Sequence, residues 1–184
     1  MKKEVINGDI IVIEPDCFED NRGFFMETYN KEKYLQLGID TTFVQDNLSF
    51  SATKGTLRGI HFQNNPSSQA KLVSCIKGTI IDIAVDLRKQ SPTYKKWFAV
   101  ELSEKNKKQV FIPRGYGHGF LTLTDNVLFS YKVDNKYSKQ DDRGIQYNDP
   151  DINVDWNKFL NGIKPTLSEK DTKSPLLKDS DCNY

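Results

Sequence analysis

The amino-acid sequence predicts an all-β fold of the sandwich or barrel type, in one domain that spans residues 1–184. Short runs rich in β-branched and aromatic residues recur at even spacing, and turn signals separate them. Helical patterns are almost absent between these runs, so the crossover helices that a parallel α/β fold needs are missing. A chain of 184 residues is long enough for one domain with its own core and short for two.

The predicted strands follow one another with little interruption. They are 10–13, 23–29, 42–45, 57–63, 70–77, 79–87, 96–102, 108–112, 119–124 and 127–133. Asn30 is a suitable N-cap for a short helix over 31–37, which Gly38 ends. Lys77-Gly78 predicts a tight turn, and Asp125-Asn126 predicts a two-residue hairpin turn.

Beyond the last predicted strand the pattern loosens. Residues 141–150 are polar, and the chain from Pro165 onward is expected to form loop or short helix. The polar residues 179–184 are expected to fray.

One predicted strand alternates clearly between two faces. Ile81, Ile83 and Val85 lie on one face, and the other face carries the carboxylates of Asp82 and Asp86. Because unpaired carboxylates are seldom buried, the alternation alone favours placing both in water; the alternative is that Asp82 lies inside a polar cavity.

The charge balance and the cysteines exclude several classes of protein. With 26 Lys and Arg against 25 Asp and Glu, no overall field attracts nucleic acid or an anionic membrane. No apolar run has the length of a membrane span or the form of a signal peptide. The three scattered cysteines form no Cys-x-x-Cys pair, which predicts reduced thiols and a cytoplasmic protein.

The two histidines, His61 and His118, are the first candidates for chemistry. Each lies in a strand-like segment with nearby glycines and aromatic residues, where a ligand can approach closely, although a lone histidine is more often structural. The sequence has no His-x-His, no His-x-x-x-His and no cysteine pair, so no metal site is predicted. Signatures of nucleophilic hydrolases and of phosphate-binding loops are also absent.

Nine segments taken together carry a family resemblance. They are 20–27 (DNRGFFME), 43–47 (FVQDN), 57–63 (LRGIHFQ), 69–73 (QAKLV), 82–88 (DIAVDLR), 91–93 (SPT), 113–120 (PRGYGHGF), 131–132 (YK) and 167–171 (LSEKD). In this order and spacing they resemble the dTDP-4-dehydrorhamnose 3,5-epimerase family over nearly the whole chain.

The resemblance implies a double-stranded β-helix, which is the cupin-type jelly roll, with short peripheral helices. It also implies a homodimer whose N-terminal strands cross to the partner. Under this resemblance Asp82 faces the cavity, which reverses the interpretation of its strand given above.

The implied activity is metal-free and cofactor-free epimerisation of a nucleotide-linked 4-keto-6-deoxyhexose. The C4 ketone acidifies the hydrogens on C3 and C5, so inversion needs a base, an acid on the opposite face and a group that stabilises the enolate. The resemblance assigns the base to His61, its orienting carboxylate to Asp171, the enolate contact to Lys71 and the acid to Tyr131. Taken alone, the segment around Tyr131 favours a core or edge aromatic, and only its place among the matched segments assigns it to chemistry.

The resemblance further implies a set of substrate-binding residues. Arg22 and Arg58 are expected to bind the pyrophosphate. The remaining positions that match ligand contacts are Glu27, Gln45, Asp46, Asn47, His118, Asp142 and Lys170.

Three alternatives remain open at the level of sequence. The first is a relative that inverts only C3 or only C5, and the second is a 3,4-ketoisomerase of a related nucleotide sugar. The third is a carbohydrate-binding jelly roll without catalysis, which has no need for the four residues assigned to chemistry.

Overall fold

The computed structural model describes residues 1–184, and most of the regular structure is β-strand. The strands are β1 (Lys2–Ile6), β2 (Ile10–Glu14), β3 (Cys17–Asp20), β4 (Gly23–Met26), β5 (Gln45–Ser51), β6 (Leu57–Gln63), β7 (Lys71–Lys77), β8 (Thr79–Asp86), β9 (Trp97–Ser103), β10 (Gln109–Ile112), β11 (Tyr116–Thr122), β12 (Val127–Val133) and β13 (Asp142–Gly144). The helices are α1 (Lys31–Gln36), α2 (Asn157–Leu160) and α3 (Glu169–Thr172), with a 3₁₀ turn at Leu177–Asp179. No helix has the length and apolar character needed to cross a membrane.

Two antiparallel sheets make up the body of the fold. One has six strands in the order β1-β2-β10-β7-β12-β5, and the other has five in the order β13-β6-β11-β8-β9. The hairpin of β3 and β4 forms a separate two-stranded sheet.

The buried apolar residues form three clusters, because the five-stranded sheet is covered on its outer face and the six-stranded sheet is covered there in part. Between the sheets lie Val73, Ile80, Phe120 and Phe129 together with their neighbours. The outer face of the five-stranded sheet is covered by segments that follow β13, among them Trp156. The outer face of the six-stranded sheet packs against Tyr34 of α1 and the residues around it.

Most predicted elements are confirmed, and β6 and β12 have the bounds predicted for them. Helix α1 begins as expected, since the Asn30 side chain accepts a hydrogen bond from the Lys33 backbone N–H. The prediction of a hairpin at Asp125-Asn126 was wrong. This turn and the one at Lys77-Gly78 carry the chain from one sheet to the other, because β7 and β12 pair within the six-stranded sheet, and β8 and β11 within the five-stranded one.

The strand predicted over 42–45 is displaced along the chain. It begins at Gln45 and runs to Ser51 as β5. Its polar residues face inward, whereas Leu48 and Phe50 are 68% and 54% exposed on the outer face. An inverted pattern of this kind hides a strand from any search for buried apolar residues. Strands β1, β3 and β13 were not predicted either.

The expectation that Asp82 and Asp86 lie in water was wrong. Their residues are only 2% and 0% exposed, because the two faces of β8 are both covered. Asp86 accepts two hydrogen bonds of 2.8 Å from Arg88, and these interactions, together with bonds from Ser91 and Thr93, outweigh burial and hold the pKa of Asp86 near 2. This carboxylate is part of a structural ion pair.

The polar residues 179–184 do not fray. Cys182 is 6% exposed, and the Tyr184 ring packs near Phe62 with 6.0 Å between the ring centroids. Hydrogen bonds to the rest of the chain fix this segment. The prediction of fraying rested only on its polar composition.

Candidate active site

A cavity of about 340 Å³ lies between the two sheets. Strands β5, β7 and β12 supply its wall on one side and β6 and β11 on the other. Its lining residues are Ser49, Arg58, His61, Phe62, Gln63, Gln69, Lys71, His118, Phe120, Phe129, Tyr131, Tyr137, Asp142 and Lys170.

His61 of β6 is held by a buried carboxylate. Its Nε2 lies 2.5 Å from Oδ1 of Asp171, whose side chain is 3% exposed. Ser168, the N-cap of α3, donates a hydrogen bond of 2.7 Å to the other carboxylate oxygen. Burial acts to raise the pKa of Asp171, but the hydrogen bonds from His61 and Ser168 lower it below the ordinary value. Because Nε2 faces the carboxylate, Nδ1 is the nitrogen free to act as a base.

Lys71 places its ammonium group in the same cavity from the opposite sheet. Burial lowers its pKa to about 8, although the carboxylates of Asp82 and Asp142 act in the other direction. The ammonium group makes no hydrogen bond or ion pair within the chain. A cation in this setting is available to an oxyanion.

A second histidine–carboxylate pair lies beside the first. His118 Nε2 is 2.7 Å from Oδ2 of Asp82, and both side chains are almost fully buried. Burial lowers the pKa of His118, and Asp82 opposes this effect only in part. The imidazole is therefore neutral at pH 7 and can donate one hydrogen bond to the carboxylate.

Tyr131 of β12 faces the cavity from the sheet opposite His61. Its ring packs against Phe129, with 5.7 Å between the centroids, and burial raises the pKa of its phenol. A phenol of raised pKa holds its proton at neutral pH and can give it to a carbanion. The base and this acid thus stand on different walls of one cavity.

A polar group closes the edge of the cavity. Lys170 of α3 donates to Asp142 at 2.5 Å, and the Tyr137 hydroxyl donates to the same carboxylate oxygen at 3.1 Å. Arg58 lines the cavity and donates to Ser51 Oγ at 3.2 Å and to the Phe50 backbone carbonyl at 3.1 Å. Such an arrangement suits a ligand with anionic and hydroxyl groups.

Comparison with known proteins identifies the family of the chain that forms this cavity. A family model described as dTDP-4-dehydrorhamnose 3,5-epimerase matches residues 5–179. The dTDP-4-dehydrorhamnose 3,5-epimerase of Shigella flexneri is 47% identical over 174 residues, which are 94% of this chain and 93% of that protein. This chain belongs to the dTDP-4-dehydrorhamnose 3,5-epimerase family.

Solved structures of the epimerase family share the fold. The Bacillus anthracis epimerase, with TDP and PPi bound, is 45% identical, with a TM-score of 0.89 and coverage of 94% of this chain and 97% of that one. An epimerase from Legionella pneumophila, in complex with dTDP-4-keto-L-rhamnose, is 40% identical, with a TM-score of 0.90 and coverage of 100% and 99%. The predicted cupin-type jelly roll is thereby confirmed.

Eight of the site residues predicted from the epimerase resemblance gather at the cavity. Seven line it directly: Arg58, His61, Lys71, His118, Tyr131, Asp142 and Lys170. Asp171 stands behind His61. On β5, Asn47 pairs in register with Tyr131, and Gln45 lies two residues before it on the same inward face.

Three predicted epimerase residues lie away from the cavity in this chain. Arg22 and Glu27 belong to the β3–β4 hairpin and the residues just after it, where Arg22 pairs with Asp20 at 2.6 Å. Asp46 points to the outer face of β5 and pairs with Lys132 at 2.8 Å, because alternate side chains of a strand point in opposite directions.

Several lining residues were not predicted, among them Tyr137, Gln69 and Ser49. Two of them had a signal: Gln69 begins the matched segment 69–73, and Ser49 lies two residues after Asn47 on the same strand face. The side-chain atoms Asn47 Nδ2 and Ser49 Oγ are buried without a hydrogen-bond partner in the chain. Unpaired polar atoms beside a cavity are typical of a site built for a polar ligand.

The donors of a metal site do not come together in this epimerase chain. Nowhere do three or more His, Cys, Asp or Glu side chains gather in a suitable cluster. The carboxylates nearest the two histidines are each engaged by an imidazole.

Proposed function

We propose that the chain inverts C3 and C5 of dTDP-4-dehydro-6-deoxy-D-glucose and yields dTDP-4-dehydro-L-rhamnose, as a step of dTDP-L-rhamnose biosynthesis. The observation that carries this proposal is the His61–Asp171 pair, which shares one cavity with Lys71 and Tyr131. Membership of the epimerase family supports the same activity.

Each inversion is two proton transfers through an enolate. His61 removes the proton from C5 or C3, and the electron pair of the broken C–H bond moves into the C4 carbonyl, which becomes an enolate oxygen. Tyr131 then donates its proton to the same carbon from the other face, and the carbonyl re-forms. Solvent returns a proton to the tyrosinate and accepts one from the imidazolium, so nothing is oxidised or reduced.

Lys71 and Asp171 lower the barrier of this sequence in different ways. The Lys71 ammonium, protonated below pH 8, stabilises charge on the C4 oxygen that is greatest in the enolate. Asp171 holds the His61 tautomer and stabilises the imidazolium that forms. A lysine thereby supplies the electrophile, and the chemistry requires neither a metal nor a cofactor.

We propose that the remaining lining residues bind the nucleotide sugar. Arg58 suits the diphosphate, since a guanidinium binds phosphate oxygens in a bidentate manner. Hydrogen-bonding groups at the cavity come from His118, Asp142 and Lys170, and those on the inward face of β5 come from Gln45 and Asn47. The Legionella pneumophila relative, in complex with dTDP-4-keto-L-rhamnose, supports a ligand of this class.

We also propose a homodimer of one-domain chains in which the partner supplies Arg22 and Glu27. These residues lie outside the cavity of their own chain, on and beside a hairpin that exposes Phe24 and Phe25 by 58% and 68%. An exposed apolar patch of this kind marks an interaction surface. Asp46 stays a predicted binding residue. The proposed location of the protein is the cytoplasm, where the free cysteines of the chain stay reduced.

Complementation tests the shared site. Arg22→Ala and His61→Asn chains are purified separately, mixed under conditions that exchange subunits, and assayed together. Mixed dimers then contain one site with both native residues, so activity returns. No recovery in mixtures shown to contain mixed dimers would contradict a contribution of Arg22 across the interface.

Proton exchange tests the activity itself. The protein is incubated with dTDP-4-dehydro-6-deoxy-D-glucose in D₂O, and deuterium at C3 and C5 is followed by NMR. We expect incorporation at both carbons, and its loss in His61→Asn with dTDP binding retained. Incorporation at one carbon only, or at neither, would contradict the 3,5-epimerase activity.

A further inference from the structure

The segment 181–184 is fixed to the body of the fold by directed polar contacts. Asn183 exchanges hydrogen bonds of 2.9 and 3.1 Å with the backbone of Asn65. Arg143 of β13 binds Asp181 through two hydrogen bonds of 2.7 Å. The segment therefore has a defined position relative to both β13 and the turn that follows β6.

Tyr184 joins the two ends of that turn, which spans residues 63–68. Its hydroxyl donates to the backbone carbonyl of Gln63 and lies 2.9 Å from Ser68 Oγ. One phenol thus bridges the first and last residues of the turn, and burial raises its pKa, so the hydroxyl keeps its proton.

Hydrogen bonds from this turn hold the loop 134–141, which connects β12 with β13. The Gln63 side chain donates to the Ser67 carbonyl at 2.6 Å and accepts from the Ser138 backbone N–H at 2.7 Å. Ser67 Oγ donates to the Asp141 carboxylate at 2.5 Å. The position of the loop therefore depends on the shape of the turn.

This loop and the strand after it carry one wall of the cavity. Tyr137 lies in the loop and Asp142 directly follows it, and both line the cavity together with Lys170. His61, Lys71 and Tyr131 belong to other strands and are held by the two main sheets. Tyr184 itself does not line the cavity.

We propose that Tyr184 is a positioning residue for substrate binding. Its phenol fixes the turn 63–68, the turn fixes the loop 134–141, and the loop places Tyr137 and Asp142 against the ligand. The inference rests on the proposed epimerase function, because it is read out through the nucleotide sugar. It predicts an effect on KM that is separate from kcat, since the groups that transfer protons are not part of this chain of contacts.

The test is steady-state kinetics of Tyr184→Phe with dTDP-4-dehydro-6-deoxy-D-glucose. This change keeps the ring against Phe62 and removes only the hydroxyl. We expect KM to rise about threefold to tenfold, as for one lost positioning hydrogen bond, with kcat within twofold of wild type. Asp181→Asn, which weakens the pair with Arg143, is expected to raise KM in the same direction, and the two effects are expected to be non-additive.

Tyr94→Phe is the matched control, because the Tyr94 hydroxyl makes no hydrogen bond in the chain and the residue lies away from the cavity. It is expected to leave both constants unchanged. If Tyr184→Phe lowers the unfolding temperature while KM stays at the wild-type value, Tyr184 is structural and the inference is overturned. A fall in kcat at unchanged KM would overturn it as well. Absence of turnover in the wild-type protein would instead refute the proposed function, on which the inference rests.

Discussion

Replacement of Asp171 by asparagine tests the base most sharply. The change keeps the size of the side chain and removes its charge, which is present at neutral pH because the pKa of Asp171 is lowered. A unit charge pair about 4 Å apart at an effective dielectric constant of about 20 is worth about 4 kcal/mol, or roughly a thousandfold in rate. Because the His61 side chain is 33% exposed, solvent screens part of this interaction, and we expect kcat to fall about 10²- to 10³-fold.

The assay is deuterium incorporation at C3 and C5, with dTDP affinity and thermal unfolding measured on the same preparation. Glu169→Gln is the matched control, since it removes a carboxylate from the same helix α3 at an exposed position that contacts Lys173 and not His61. The control is expected to keep the wild-type kcat. A folded Asp171→Asn protein with kcat within about threefold of wild type would refute the assignment of Asp171 as the group that supports the base.

The other predictions concern the enolate contact, the backbone and metals. Because the pKa of Lys71 is about 8 and its charged form is required, kcat/KM of the wild-type protein is expected to fall as pH rises through about 8. In Lys71→Arg this decline is expected to move above about pH 10, and an unchanged pH profile would contradict the role of Lys71. Gly59→Ala is expected to lower the free energy of unfolding by more than about 3 kcal/mol, since its Cβ would lie 2.5 Å from the Gly119 backbone. Gly162→Ala, also at a positive φ but with open space around it, is expected to cost about 1 kcal/mol in denaturant titrations, and equal losses would contradict the steric argument. Dialysis against EDTA is expected to leave the exchange rate unchanged, and a loss restored by one metal would contradict the assignment of the electrophile to Lys71.

Local sequence patterns predicted most strands of the fold but not how the strands pair. β6 and β12 were predicted with their bounds because each is a run of apolar and aromatic residues between turn signals. The pairing of strands was not accessible, since Asp125-Asn126 has the local chemistry of a hairpin turn whether the next strand joins the same sheet or the other one. Strand β5 was displaced because its inward face is polar toward the cavity.

The site shows a similar limit. The alternation of β8 alone placed Asp82 in water. The sequence does not reveal that the face with Asp82 lies between the two sheets, while segments after β13 cover the face with Ile81. Residue type raised His61 to a candidate, but only the family resemblance connected it with Asp171, 110 residues away. Tyr137 carried no signal, because its place in the cavity depends on hydrogen bonds between the turn and the loop rather than on its own segment.

In the proposed mechanism His61 and Tyr131 act on opposite faces of one enolate. This mechanism is tested most directly by following Tyr131→Phe with the nucleotide sugar in D₂O, with exchange and configuration measured in the same NMR spectra. We expect His61 still to remove and return a proton, so deuterium enters C3 or C5 with retention of configuration while inversion is lost. Inversion at the wild-type rate in this variant would contradict the assignment of the acid to Tyr131.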